Sequence, residues 1–290
     1  MLAWRSSLRL MALALAAAGI PPLPLMAEPP AIPAASEHQR VLPLQGGRNF
    51  RDLGGYRTAD GRTIKWNMLF RSGSMTDLTQ SDFAYLEGLG IRVVIDLRDN
   101  RERAAEPVSW PGPTAPLILT DDYLLDYGAS MPAGPVKTWS PDQARASLVS
   151  SYQRMPAQFN GQYRRLFAQL LTGKAPLAVN CSAGKDRTGI AAALLLTALG
   201  VPRKRVIEDY LLTNQTLNSG LVRTGKATAD GPWNDMQPEA FKAFIDADRT
   251  YIQAALSVVD SHKDGVAGYL REELGLGPKE LRDLRNRYLE

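Results

Sequence analysis

The feature that most constrains this chain is the stretch Ala178 to Gly189, A-V-N-C-S-A-G-K-D-R-T-G. A short apolar run, Pro176 to Val179, leads into it, and a strongly apolar helical run, Ile190 to Leu199, leads out. Gly184, Lys185, Asp186 and Arg187 are crowded between the two. That order predicts a strand, a tight loop and a helix. A loop closing at a helix N-terminus can turn successive backbone N–H groups inward and so build a site for an anion.

The same stretch holds the only cysteine of the chain, Cys181, with Arg187 six residues later. A thiolate attacks phosphorus well, but a free cysteine near ~8.5 is mostly protonated at neutral pH. A helix N-terminus with Lys185 and Arg187 close by is an environment that favours the thiolate. Arg187 offers a planar fork that matches two equatorial oxygens of a phosphoryl group, which lysine does not. Gly184 lets the backbone of Ser182, Ala183 and Gly184 approach a ligand closely. Thr188 can donate its hydroxyl to the sulfur and ease its departure, and Lys185 adds charge beside the substrate. Two rival readings fit less well. A merely buried cysteine leaves the charged cluster unexplained. A nucleotide-binding loop G-x-x-x-x-G-K-[ST] needs glycine where Val179 stands and serine or threonine where Asp186 stands.

With those residues in view, C-x5-R resembles the signature of the protein tyrosine phosphatase superfamily. More narrowly, C-x-x-G-K-D-R-T-G is similar to the secreted bacterial phosphatases that act on phosphotyrosine and often on phosphoinositides. The blocks Asn49-Phe50-Arg51-Asp52-Leu53-Gly54-Gly55, Phe70-Arg71-Ser72-Gly73, Asp96-Leu97-Arg98 with Glu102, and Tyr269 to Gly275 resemble that family's other blocks, in the same order. The resemblance implies phosphomonoester hydrolysis through a cysteinyl-phosphate, with Cys181 as nucleophile, Arg187 on the phosphoryl oxygens and no cofactor. The expected substrate is a phosphorylated protein or, as the alternative that Lys185 raises, a phosphoinositide. A phosphate-binding protein without turnover is a third reading. The narrower family implies Asp186 as general acid. The superfamily at large takes that acid from a separate loop, for which Asp121 and Asp122 are the candidates. The residue before the cysteine, usually histidine, is Asn180.

The rest of the chain predicts a three-layer α/β domain, a central mainly parallel sheet flanked by helices, with a helical lid from 142–172 or 218–262. Ile91 to Leu97 reads as a buried strand whose terminal Asp96 faces the ligand crevice. Arg98 and Glu102 stand at a spacing that allows them to pair. The block around Arg48, Arg51 and Asp52 reads as a structural ion pair near a hairpin. Thr79 and Asp82 form a capping box. Residues 142–155, 157–172, 188–199, Pro202 to about Leu217, 238–262, 264–275 and 278–288 read as helices, and Gly128–Pro141 and 218–237 as loops.

Arg5, Arg9, the apolar run Leu10 to Ile20 and the ending Leu25-Met26-Ala27 read as an export signal over 1–27, followed by a loose Pro/Ala-rich tail over 28–43 and one domain over 44–290. The apolar run is too short to span a bilayer comfortably, so no stable membrane anchor is expected, and the product is expected in the periplasm or outside the cell. Net charge falls from +4 to +2 once Arg5 and Arg9 leave with that segment, and no basic run argues for nucleic acid. There are only two histidines, His38 in the tail and His262 at the end of an expected surface helix, from which no metal cluster and no serine-type triad can be built, so metal-dependent hydrolysis is not expected.

Overall fold

The computed structural model describes residues 38–126, 131–132, 134–217 and 235–290. The expected export signal, tail residues 28–37, part of the Gly128–Pro141 loop and loop residues 218–234 lie outside the described residues.

Among the described residues five short strands form one sheet: β1 (Arg51–Asp52), β2 (Leu69–Ser72), β3 (Val93–Asp96), β4 (Leu117–Leu119) and β5 (Leu177–Asn180), in the order β1-β2-β5-β3-β4. β2, β5, β3 and β4 run parallel, and β1 is an antiparallel edge. β5, which feeds the cysteine loop, lies at the centre. Its residues are buried on both faces, as an apolar parallel strand requires. Alternation then sorts the side chains. Leu69, Val93, Ile95, Leu177 and Val179 enter a large core on one face, while Phe70, Val94 and Ala178 enter a smaller one on the other.

The smaller face is covered by α1 (Gln80–Gly88), which contributes Phe83, Tyr85 and Leu86. The expected capping box at Thr79 and Asp82 is present, and Gly90 takes the left-handed turn after the helix at φ +68°. The larger face is covered by α3 (Pro141–Leu171), α4 (Arg187–Leu199) and, further along the chain, α8 (Arg249–Asp260), which gives the three layers. All of α4 except Thr197 is buried, the reason its sequence is apolar on every side. A short α2 (Asn100–Ala105) follows β3, and α5 (Arg203–Leu211) and α6 (Thr213–Thr216) replace the single helix expected from Pro202 to about Leu217. α7 (Pro238–Ile245) precedes α8; α9 (Gly265–Glu272) and α10 (Pro278–Tyr288) finish the chain close to their expected limits.

Three expectations change. Residues 142–155 and 157–172 are one helix, α3, with Pro156 inside it. Loss of one backbone hydrogen bond there, about 3 kcal/mol, is outweighed by the apolar stripe that continues on both sides through Tyr152, Phe159, Tyr163, Phe167 and Leu170. That stripe also makes most of α3 core rather than lid. The stretch 238–262 is instead two helices, because Asp248 caps the second by accepting the N–H of Thr250 at 2.8 Å. Finally, the tail is pinned from His38 on: His38 stacks on Trp66, Arg40 lies over Tyr56, and Leu42 is buried.

Candidate active site

The loop from Cys181 to Asp186 joins β5 to α4 as the sequence requires. Its shape is imposed from outside by donors that take its carbonyls. Ser182 O accepts from Ser74 N at 2.9 Å and from Arg48 Nη1 at 3.3 Å. Ala183 O accepts from Asn49 Nδ2 at 3.2 Å. Gly184 O accepts from Asn49 Nδ2 at 2.9 Å and from Arg71 Nη2 at 2.7 Å. With the carbonyls held outward, the N–H groups of Ser182 through Asp186 find no acceptor among the described residues. They form, with the first turn of α4, a concave row of donors. Glycine is obligatory at 184: φ is +68°, and a Cβ would stand 2.5 Å from Gly73 N.

Cys181 ends the core under this cradle and is 1% exposed. Arg187, the first residue of α4, is buried, and against the cost of that burial the charge and hydrogen bonds of Glu102 hold its guanidinium protonated. Its fork is oriented by Glu102, whose two oxygens accept from Nη1 at 2.7 Å and Nη2 at 2.6 Å. Nη1 also donates to Leu97 O and to the Tyr123 hydroxyl, each at 2.9 Å. Nε–H and the second Nη2 hydrogen have no acceptor among the described residues. One edge of the guanidinium is therefore fixed and the other is left to grip two oxygens of a ligand. Ser182 Oγ donates to the same Glu102 at 2.6 Å, which ties the loop to the residue that aims its arginine.

Two of these partners change the sequence expectation. Glu102 does not pair with Arg98 at all. α2 is capped by Asp99 and carries Glu102 at its third position, which points the carboxylate at Arg187. Arg98 pairs instead with Asp96 at 2.8 Å. Nothing in the local sequence of Tyr123 distinguishes a site hydroxyl from a packing ring.

Asp96, expected at the ligand, lies behind the loop. Its oxygens accept from Arg98 and from Asn180 Nδ2, the latter at 3.1 Å. The asparagine that replaces the usual histidine is thus a strut between the strand carrying the cysteine and its neighbour β3. Thr188 Oγ1 is fully buried and has no partner among the described residues. Lys185 does not stand free beside the ligand: Nζ donates to Phe244 O at 2.5 Å and lies 5.8 Å from the Tyr251 ring centre. The Arg51–Asp52 block is an ion-pair site, but Arg51 pairs with Asp209 at 3.2 Å and Arg71 with the same carboxylate at 2.6 Å. Asp52 accepts the N–H groups of Gly54 and Asn67 instead.

Of the three aspartates considered as acids, Asp186 sits at the helix end of the cradle with its side chain one quarter exposed. Its carboxylate makes no N-cap bond; Oδ1 accepts from the Tyr152 hydroxyl at 2.7 Å. Asp121 is paired with Arg165, and Asp122 projects into solvent beside Arg103. No cluster of three or more His, Cys, Asp or Glu suited to a metal is found among the described residues.

The buried carboxylates make stability depend on pH in two opposed ways. Burial pushes Glu102 up, but Arg187 and the hydrogen bonds it receives outweigh this and hold it at about 2, from an ordinary 4.5. Asp209, also raised by burial, is brought down to about 2 by Arg51 and Arg71. Both contributions are present above the unfolded values and are lost as pH falls through about 2. Asp52 is the reverse: burial raises it to about 6 from 3.8, so its contribution is full below about 4 and lost as pH rises through 6. Each is worth on the order of 2–3 kcal/mol. Thermal unfolding across pH is therefore expected to give a melting temperature that rises from pH 7 to about 5 and drops steeply below about 4. Asp52→Asn is expected to flatten the upper limb.

The sequence of the chain matches the model of the Tyrosine phosphatase family over residues 42–290. The chain belongs to that family. It is 31% identical over 264 residues to a protein of Cupriavidus necator that carries the name of a tyrosine-protein phosphatase, across 87% of this chain and 92% of that one. It is 28% identical over 262 residues to the triple specificity protein phosphatase PtpB of Mycobacterium tuberculosis, across 80% of this chain and 93% of that one. A tyrosine-protein phosphatase of Nostoc commune is 28% identical over 227 residues, 75% of this chain and 72% of that one. The chain is a cysteine-dependent phosphoric monoester hydrolase, as the C-x5-R loop led us to expect.

Proposed function

We propose that this phosphatase acts first on phosphotyrosine in proteins, with Cys181, Arg187 and Asp186 as its reacting groups. The observation that carries this is the row of N–H groups from Ser182 to Asp186, without acceptors among the described residues, set beside the open edge of Arg187 and the chain's only cysteine. The sulfur attacks phosphorus, the ester P–O bond breaks, and Asp186 gives its proton to the departing phenolic oxygen. Water then attacks the cysteinyl-phosphate, Asp186 takes its proton, and the S–P bond breaks to return the thiolate. The cradle and Arg187 stabilise the equatorial oxygens in both steps.

The phosphoinositide alternative rests on Lys185, and the engagement of its ammonium with Phe244 O favours the peptide reading. The name of the Mycobacterium relative supports breadth rather than a single substrate. The Arg-flanked apolar run at the N-terminus supports export to the periplasm or beyond. The test compares kcat/KM for a phosphotyrosine peptide, a phosphoserine peptide and a phosphoinositide in vesicles, with chelator present. The phosphotyrosine peptide is expected to lead by about tenfold or more, close to 1.4 kcal/mol of transition-state binding. A lipid substrate turned over faster would reverse the assignment.

A further inference from the structure

Two buried phenols stand behind Asp186 with no part in the reaction as written above. Tyr152, from the middle of α3, donates its hydroxyl proton to Asp186 Oδ1 at 2.7 Å. Tyr210, from α5, lies 2.6 Å from the Tyr152 oxygen. A tyrosine has one proton to give. Because Tyr152 gives its proton to the carboxylate, Tyr210 must be the donor between the two, and the bonds run in one direction: Tyr210 to Tyr152 to Asp186. Burial, helped by the neighbouring carboxylate, holds both phenols well above their ordinary range, so neither loses its proton near neutrality.

The chain is selective between the two carboxylate oxygens. Oδ1 has the Tyr152 hydroxyl, and Lys185 Nζ stands 3.4 Å from the same atom. Oδ2 receives no hydrogen bond among the described residues. A proton on Oδ1 would collide with the one that Tyr152 already points there. We propose that Tyr152 and Tyr210 are positioning residues, a two-phenol chain that holds Oδ1 of Asp186 and leaves Oδ2 to carry the proton that the leaving group takes. The proposal rests on Asp186 being the general acid. It adds the reason that an aspartate at a helix N-terminus, which would ordinarily turn back to cap its own helix, keeps its carboxylate off that helix.

The test is leaving-group dependence in the full chain, with phenyl phosphate as the substrate that needs protonation and a polyfluorinated aryl phosphate as one that does not. Tyr152→Phe keeps the ring, which packs against Tyr210 and Tyr251, and removes only the donor. It is expected to lower kcat on phenyl phosphate by about tenfold with KM unchanged, and kcat on the activated ester by less than about twofold. Tyr210→Phe is expected to show the same pattern more weakly, and to add nothing on a Tyr152→Phe background, because it acts only through Tyr152. Asp186→Asn is the control and is expected to show the largest split between the esters. An Asp186→Asn enzyme that loses both esters equally would remove Asp186 as the acid. A clear split for Asp186→Asn, with Tyr152→Phe either unchanged or equally slow on both esters, would keep the acid and overturn the phenol chain.

Discussion

Cys181→Ser is expected to reduce phosphate release from an aryl phosphate, measured without metal and with chelator, by about 10⁴–10⁶-fold. The serine hydroxyl is far less acidic than a thiol and a poorer nucleophile toward phosphorus, and no second cysteine is available to replace it. The substitution leaves the rest of the site in place. The carbonyls of Ser182, Ala183 and Gly184 remain held by Ser74, Asn49 and Arg71, so the N–H row keeps its curvature. Inorganic phosphate is therefore expected to bind the variant within a few-fold of wild type, and its melting temperature to stay within a few degrees. This pairing separates the chemistry from the cradle. Turnover that survives the substitution would remove the covalent mechanism, and loss of phosphate binding together with turnover would mean that the sulfur shapes the loop as well.

Arg187→Lys keeps the charge and removes the fork. Lysine has three donors on one nitrogen and cannot hold both oxygens of Glu102 while presenting a second edge to a phosphoryl group. A loss of about 10³-fold in kcat is expected, the scale of removing preorganised donors from a developing anionic centre. The fold suffers too. Glu102 is nearly enclosed, and a single ammonium that keeps the charge but cannot make both hydrogen bonds costs about 1–3 kcal/mol. For a chain of this size that corresponds to a fall in melting temperature of roughly 5 °C. Glu102→Gln on the Arg187→Lys background is expected to recover part of the stability and none of the rate. Calorimetry and steady-state kinetics on the three variants check both halves. A lysine variant as stable as wild type would mean that the paired hydrogen bonds between Glu102 and Arg187 add nothing to the fold.

Local sequence was sufficient wherever a few adjacent residues fix the physics. The apolar run into Cys181, the positive-φ glycine at 184 and the apolar helix from Ile190 specified strand, loop and helix, because backbone sterics and solvent exclusion act over a handful of residues. The capping box at Thr79 and the end of α4 at Gly200 were legible for the same reason. The C-x5-R spacing also pointed to Cys181 as the candidate nucleophile and Arg187 as the candidate anion fork. What the sequence could not show was which distant side chain each charged residue would meet. Arg98 had Glu102 at helical spacing, yet the turn of α2 sends Glu102 to Arg187, 85 residues away, and returns Arg98 to Asp96. Arg51 and Arg71 find their common counter-ion in Asp209, more than 130 residues on. Nothing in the local sequence marks Tyr152 or Tyr210, and only the tertiary meeting of these side chains from α3 and α5 puts both hydroxyls in line with Asp186. Ion pairs and phenol chains form wherever the fold brings unsatisfied buried groups together, and that meeting is decided by the packing of whole elements rather than by spacing along the chain.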